Sequence, residues 1–459
     1  MASRKNTGYE IDMINGPILI PILKFTLPLM LSGILQLLFN AADVIVVGKF
    51  AGDEALAAVG STGALTSLII NLFMGLAVGA NVVAAKAYGA QDFRAMSQTV
   101  HTSMLISLIG GAALTVVGVI FAPTFLRWMD SPDNVIGLAS VYLRIYFCGM
   151  LATMFYNFGA AILRSVGDTK RPLIYLTLAG VVNVALNMVF VIGFGMSVAG
   201  VAIATVISQV ISAVLVVACL IRSEGAIHFD VRKMRIHKNV LLGVVRVGLP
   251  AGLQSTMFAI SNVVIQSSIN AFGSVAVAGN SAGGNLADFI YISMNSFSQA
   301  TTSFTSQNYG ARRYERIWSI FWNALLCVSV VGIVLGVGMW YFGDTLLKMY
   351  TDSPYVIAAG MVRLTWMGLP YVLCGIMEII VGSLRGIGYS VAPMIVSVFG
   401  ACVLRLVWIA TVCKLPAFSD TTAGIYMSYP VSWLITLAAQ MGIFVYGMRR
   451  LKRRGFENY

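Results

Sequence analysis

The sequence predicts an all-α integral membrane protein of twelve transmembrane helices in two pseudo-symmetric six-helix lobes. Three observations carry that prediction. Apolar residue types make up 58% of the 459 residues and charged types 10%, against about 45–50% and 25% in soluble domains, so the chain has too few charges to cover a water-facing surface. Apolar stretches long enough to cross a bilayer, roughly 20 residues each, follow one another with little between them. The two halves of the chain also match each other at one near-constant offset, which sets Leu27 on Leu249 and Leu163 on Leu384.

Six spans are expected in a first lobe over 17–221, at about 17–47, 55–80, 95–121, 134–160, 171–193 and 197–221. Six more are expected in a second lobe over 240–448, at about 240–270, 275–302, 316–342, 355–383, 391–413 and 423–448. The polar tail 1–16 has no short apolar core with a cleavage site, so no removable signal peptide is expected. A basic linker, 222–239, joins the lobes, and a hinge would belong there. A basic tail, 449–459, follows the last span.

The repeat is read from five matches. Leu27 and Pro28 return as Leu249 and Pro250; Tyr88, Gly89 and Ala90 as Tyr309, Gly310 and Ala311; Asp130, Ser131 and Pro132 as Asp352, Ser353 and Pro354. Leu163, Arg164 and Gly167 return as Leu384, Arg385 and Gly388, and Pro172 as Pro393. The offset covers an even number of spans, so both copies share one orientation, related by an axis along the membrane normal. That is one of the layouts of secondary transporters, with the substrate path between the halves.

Basic residues sort by loop. The two tails and the even-numbered loops, counted with the bordering span residues Lys24, Arg171, Arg246 and Arg316, hold 23 of the 30 lysines and arginines, the odd-numbered loops hold only Lys49, Arg127, Lys348 and Lys414, and Arg144, Arg363 and Arg405 lie within helices. The positive-inside rule then places both termini in the cytoplasm, and the cell membrane is the expected location. The net charge of +12 needs no nucleic-acid partner, because RKMRIHK (232–238) and RRLKRRG (449–455) sit beside helix ends, where topology and anionic lipid account for them. The six cysteines fall in apolar segments without a CxxC pair and read as small core residues.

Against this background an acid inside a span stands out. Asp43 lies in ILQLLFNAADVIVVG, and its repeat counterpart is Ile265, so the fold does not need a carboxylate at that depth. Gln36, Asn40 and Asp43 are spaced i, i+4, i+7 on one helical face, and Asn40 pairs with Asn262 under the repeat. A charged Asp near a helix centre costs about 2.5–3.5 kcal/mol on insertion scales, which points to ion or proton handling. Glu378 maps on Asn157 and Asp288 on Ser67, each without an acidic twin. Glu378 is a candidate for the central path; Asp288 is read either so or as a structural partner of Arg363 or Arg405. Asn183 and Asn187, spaced i, i+4, could coordinate a hard cation through their amide oxygens or serve as glue between helices.

Enzyme chemistry finds no support. The GxGD signature of intramembrane aspartyl proteases and HExxH are missing, and His101, His228 and His237 make no metal cluster in the sequence. No GxxxxGKS/T loop is present, so ATP is not the direct energy source and an ion gradient must be. No cofactor is expected, and no metal beyond a sodium ion at Asp43.

The runs QLLFNAADVIVVGKFAGDEALAAVG and NVALNMVFVIGFGMSVAGVAIATVISQ, with the paired LRSVGDTKRP and LRGIGYSVAP, resemble the multidrug and toxic compound extrusion (MATE) transporters, in a bacterial branch. The resemblance covers nearly the whole chain. It implies a V-shaped fold of two six-helix lobes that exports small organic cations and drugs in exchange for protons or sodium ions, working as a monomer. It also implies cation or proton binding at Asp43, with Asn183 and Thr205 completing the site. Asn187 stands where many members have Asp, and Gln254 where some sodium-coupled members have Glu. The rival within the wider superfamily is a lipid-linked sugar flippase, which would display more cationic groups in its cavity.

Overall fold

The computed structural model describes residues 9–128, 133–416, 418 and 421–456. The expected repeat match at Asp130, Ser131 and Pro132, and the outermost residues of both tails, lie outside them. The chain runs through α1 (Leu19–Phe50), α2 (Asp53–Gly89), α3 (Phe93–Trp128), α4 (Asp133–Cys148), α5 (Met150–Ser165), α6 (Lys170–Asn187) and α7 (Ser197–Arg222). It continues through α8 (Lys238–Asn270), α9 (Ser274–Gly310), α10 (Tyr314–Tyr341), α11 (Gly343–Leu347), α12 (Pro354–Arg363), α13 (Tyr371–Ile387), α14 (Val391–Ser397), α15 (Leu404–Thr411) and α16 (Ala423–Phe456). No strand occurs among the described residues.

Among the described residues nine segments are long and apolar enough to cross a membrane, one of them α14 and α15 taken together, and two bent pairs, α4 with α5 and α12 with α13, raise the number to eleven. The remaining expected span is α9, which is too polar to be counted by composition. It is nonetheless 37 residues long and buried along almost all of Ser293–Asn308. Its hydroxyls make this tolerable: Ser293, Ser296, Thr301, Thr302 and Ser306 each donate to the carbonyl four residues back. Ser298 and Thr302 also reach the Glu378 and Gly382 carbonyls of α13, at 2.9 and 3.1 Å. Outer helices show the opposite pattern. On α10, Trp322, Leu326, Val330, Ile333 and Val337 all face outward, a stripe that suits lipid and not water.

The repeat is written into the backbone. The bends of 44° and 42° fall at Gly149 and at its repeat counterpart Pro370; glycine lets α7's Gln209 approach, and proline lacks the N–H that would continue the helix. Positive φ recurs in the same register: Gly52 and Gly273 at 88°, Gln91 and Arg312 at 56° and 57°, Gly167 and Gly388 at 97° and 101°. The turn bonds recur as well, Asp92 N–H to Ala87 O at 3.0 Å answering Arg313 N–H to Asn308 O at 2.9 Å.

Two compact units result, one of residues 1–12 and 28–252, the other of 13–27 and 253–459. The division does not fall in the linker. It falls inside α1 and inside α8, at or beside the proline each helix carries, Pro28 and Pro250. The first half of α8 stays with the first unit because α2 and α8 cross backbone to backbone at Gly75, Gly79, Gly248 and Gly252; a Cβ at Gly75 would overlap the backbone nitrogen of Gly252. The start of α1 goes with the second unit, where Phe25 meets Phe304 edge-on at 5.6 Å. Gly75→Ala should therefore destabilise the protein by about 1–3 kcal/mol, read as a lower melting temperature in detergent. Gly60→Ala, on the same helix with open space around its Cβ, should not lower it.

The linker is packed on the first unit. Ile227 and Phe229 are buried, Phe229 N–H donates to Leu220 O at 3.1 Å, and Asp230 caps a short 3-10 turn, Val231–Lys233. Of the cysteines, Cys327, Cys374 and Cys402 are buried as expected, whereas Cys219 and Cys413 are half-buried and Cys148 is exposed.

Candidate functional site

Phe39 of α1 fixes how closely α6 approaches. Its ring occupies the place that a side chain at residue 180 would need, so Gly180 lets the two helices touch. One turn beyond Phe39 stands Asp43, half-buried. Asn187, fully buried at the end of α6, donates through Nδ2 to Asp43 Oδ1 and to Asn183 Oδ1 at 3.3 Å. Directly after Asn187 the helix widens into a π-helical turn, Met188–Gly193, a distortion frequent at functional positions.

Helix α7 supplies the third wall. Thr205 Oγ1 lies 3.4 Å from Asp43 Oδ2 and 2.9 Å from Val201 O, and it accepts from Asn183 Nδ2 at 3.4 Å. Its single proton can serve the carboxylate or the carbonyl but not both. Asn187 Oδ1 is buried without a hydrogen-bond partner. The four residues expected at this site thus meet, on three helices of one unit, as an oxygen-rich cluster with one acid and one orphaned acceptor. Hard cations take such oxygen ligands.

Two tyrosines absent from the sequence-based set lie within the field of Asp43: Tyr142 and Tyr146 of α4, stacked with ring centroids 6.0 Å apart. Their i, i+4 spacing was the available signal, but aromatic pairs at that spacing are common in any helical core.

The other expected residues do not gather into one place. Gln36, Asn40, Asn262 and Asp288 are exposed on their helices. Asn157 is half-buried and bonds its own helix, Nδ2 to Thr153 O at 2.8 Å. Gln254 and Glu378 share a cluster in the second unit, 2% and 5% exposed: Arg385 Nη2 donates to Gln254 Oε1 at 2.9 Å, and Glu378 lies in the field of Arg385 and Tyr291. Asp288 lies in the field of Arg363, one of the two cations expected for it, without a close salt bridge to either. Arg363 donates instead to Asn280, to the backbone oxygen at 3.0 Å and to Oδ1, and Arg405 lies over Tyr429, 4.0 Å from the ring centroid, with Nε donating to Ser432 Oγ. Ion pairs join Arg171 to Asp168, Lys233 to Asp230 and Lys348 to Asp344. No group of three or more His, Cys, Asp or Glu among the described residues could hold a metal ion.

The family model described as MatE matches the chain twice, over residues 28–189 and 250–411. The chain belongs to the MatE family. The two matches fall on the two copies of the repeat, beginning at Pro28 and at its counterpart Pro250. Among relatives of this MatE chain, the "Probable multidrug resistance protein YoeA" of Bacillus subtilis is 27% identical, with 94% of each chain covered. The "FAD transporter" of Shewanella oneidensis is 24% identical, with 95% of each covered. A solved structure described as the outward-facing conformation of a multidrug resistance MATE family transporter superposes with a TM-score of 0.88 at 23% identity, covering 98% of this chain and 99% of the other. At that identity the likeness concerns the fold: a multi-pass, helical MATE architecture.

Proposed function

We propose that this chain is a secondary antiporter of the cell membrane, with both termini cytoplasmic, exporting small organic cations and drugs in exchange for protons or sodium ions. The observation that carries the reading is the cluster at Asp43, where a lone membrane-embedded acid meets Asn187, Asn183 and Thr205 and leaves the Asn187 Oδ1 acceptor orphaned. A proton or sodium ion bound there neutralises the carboxylate; sodium would in addition satisfy the orphan. The names of the bacterial relatives support drugs as cargo.

Coupling then follows from linkage. The bound ion favours an arrangement of the two lobes that weakens drug binding, and its release on the other side restores a cavity that accepts the drug; exchange occurs only if ion and drug prefer different states. A second reading, transport of FAD as named for the Shewanella relative, draws on Arg405 of the second unit, whose guanidinium lies over Tyr429 and donates to Ser432 Oγ.

The test is efflux from proteoliposomes with a proton gradient or a sodium gradient imposed alone, using a fluorescent organic cation and, separately, a flavin dinucleotide. Export of the cation under one gradient is the expected result and names the ion. Export of the flavin alone would overturn the cargo. No export under either, by folded and correctly oriented protein, would shift the reading to a lipid-linked sugar flippase.

A further inference from the structure

His101 near the start of α3 is 3% exposed, yet it touches nothing in the ion site. Both of its ring nitrogens are engaged. Nδ1 lies 2.7 Å from Ser97 O, and a carbonyl can only accept, so Nδ1 carries a proton. Nε2 lies 3.1 Å from the backbone N–H of Asp230, and an amide can only donate, so Nε2 offers its lone pair. The ring is held as the neutral Nδ1–H tautomer by partners that leave no room for a second proton.

Asp230 belongs to the chain that joins the two repeats. Beside it, Phe229 packs against the His101 ring, centroids 5.7 Å apart. The next residue of α3, Thr102, fully buried, holds the far end of the same chain: its Oγ1 lies 3.1 Å from Arg235 O and 3.2 Å from His237 Nδ1, and it accepts from His237 N–H at 3.2 Å. Two adjacent side chains of α3 therefore pin the segment 229–237, and one of them is an imidazole.

We infer that this contact is a latch worked by pH: neutral His101 holds the linker on α3, and protonation of Nε2 releases it. Protonation converts the acceptor into a donor facing the Asp230 N–H, so a hydrogen bond is lost and a buried cation is created at one stroke. The charged and titratable groups on the segments that meet there are Asp230, Arg232, Lys233, Arg235 and His237 on the linker, Arg94 two turns earlier on α3, and Arg222 at the end of α7. The one carboxylate, Asp230, is already committed: Arg232 N–H bonds it at 3.0 Å and Lys233 pairs with it at 3.4 Å, which keeps its carboxyl below the usual carboxylate range. Release would lengthen the free tether between α7 and α8 whenever the face carrying the linker acidifies, the condition that proton-driven exchange itself produces.

The test is hydrogen–deuterium exchange of the full-length protein in lipid nanodiscs, following peptides over 226–237 between pH 7.5 and 5.5 and correcting for intrinsic exchange. Protection should fall by about tenfold over that range, because an opening linked to one proton gains up to about tenfold per pH unit. His228→Gln, on the same segment with its ring against Ser223 O, should keep the fall, and His101→Gln should abolish the pH dependence, since glutamine can accept from Asp230 at any pH. If His101→Gln merely leaves the segment unprotected throughout, the imidazole signal of His101 in the wild type, followed by NMR, decides: its titration midpoint must coincide with the loss of protection. Protection independent of pH in the wild type, a fall that persists in His101→Gln, or midpoints that differ would each overturn the latch.

Discussion

Asp43→Asn should abolish gradient-driven export while leaving the protein folded, inserted and able to bind its cargo. The substitution keeps the shape of the side chain, and the new Oδ1 can still accept from Asn187 Nδ2, so the packing of α1 against α6 and α7 survives. What disappears is the charge. An amide neither takes up a proton in this range nor neutralises sodium, so ion binding no longer distinguishes the two states of the transporter. Coupling free energies between two ligands typically run about 1–3 kcal/mol, about 5- to 150-fold in affinity, and all of it should vanish. The measurement is paired: cargo affinity with and without the ion, and efflux under each gradient. In the wild type the ion should weaken cargo binding; in Asp43→Asn affinity should be indifferent to it and efflux should drop to the rate without a gradient. A variant that still exports at full rate would falsify the role given to Asp43.

How much of this was legible beforehand depends on the kind of signal. The membrane class and the number of rods follow from composition and spacing, and the repeat from five short matches, because these properties are local or additive along the chain. The meeting of Asp43 with Asn187 and Thr205 was readable in part: periodicity puts Asn183 and Asn187 on one face, but that this face turns towards Asp43 came only from resemblance to a family. The exchange of helix halves was not readable. It depends on Gly75 meeting Gly252 from a distant part of the chain, and a glycine in a helix carries no mark of what approaches it. Nor did α9 reveal itself as buried by its hydropathy, since its hydroxyls satisfy themselves on carbonyls of the preceding turn. The packing of the linker was hidden for another reason: a basic, polar segment between two lobes reads as the place for a hinge, and the buried pair Ile227 and Phe229 is too short a pattern to say that it packs.

Arg385 shows the same limit and carries the last prediction. A charge-by-loop count places it among the basic residues that orient the chain, but in the structure it closes the last turn of α13 and holds the Gln254–Glu378 cluster together. Arg385→Met should therefore destabilise the second unit by an amount on the order of 3 kcal/mol: methionine keeps much of the volume, yet Gln254 Oε1 loses its donor and Glu378 is left as a buried acid without the cation whose field it shares. Thermal denaturation in detergent would read the loss. Adding Glu378→Gln to the same protein should restore part of it, with a coupling of about 1–3 kcal/mol between the two sites, because the second change removes the charge that the first left stranded. Strictly additive losses would mean that Glu378 and Arg385 do not share one electrostatic environment. The repeat supplies the internal comparison. Arg164 is the counterpart of Arg385, but where the second half has Glu378 the first has the neutral Asn157. Arg164→Met strands no acid at residue 157, so its cost should not be relieved by any substitution there.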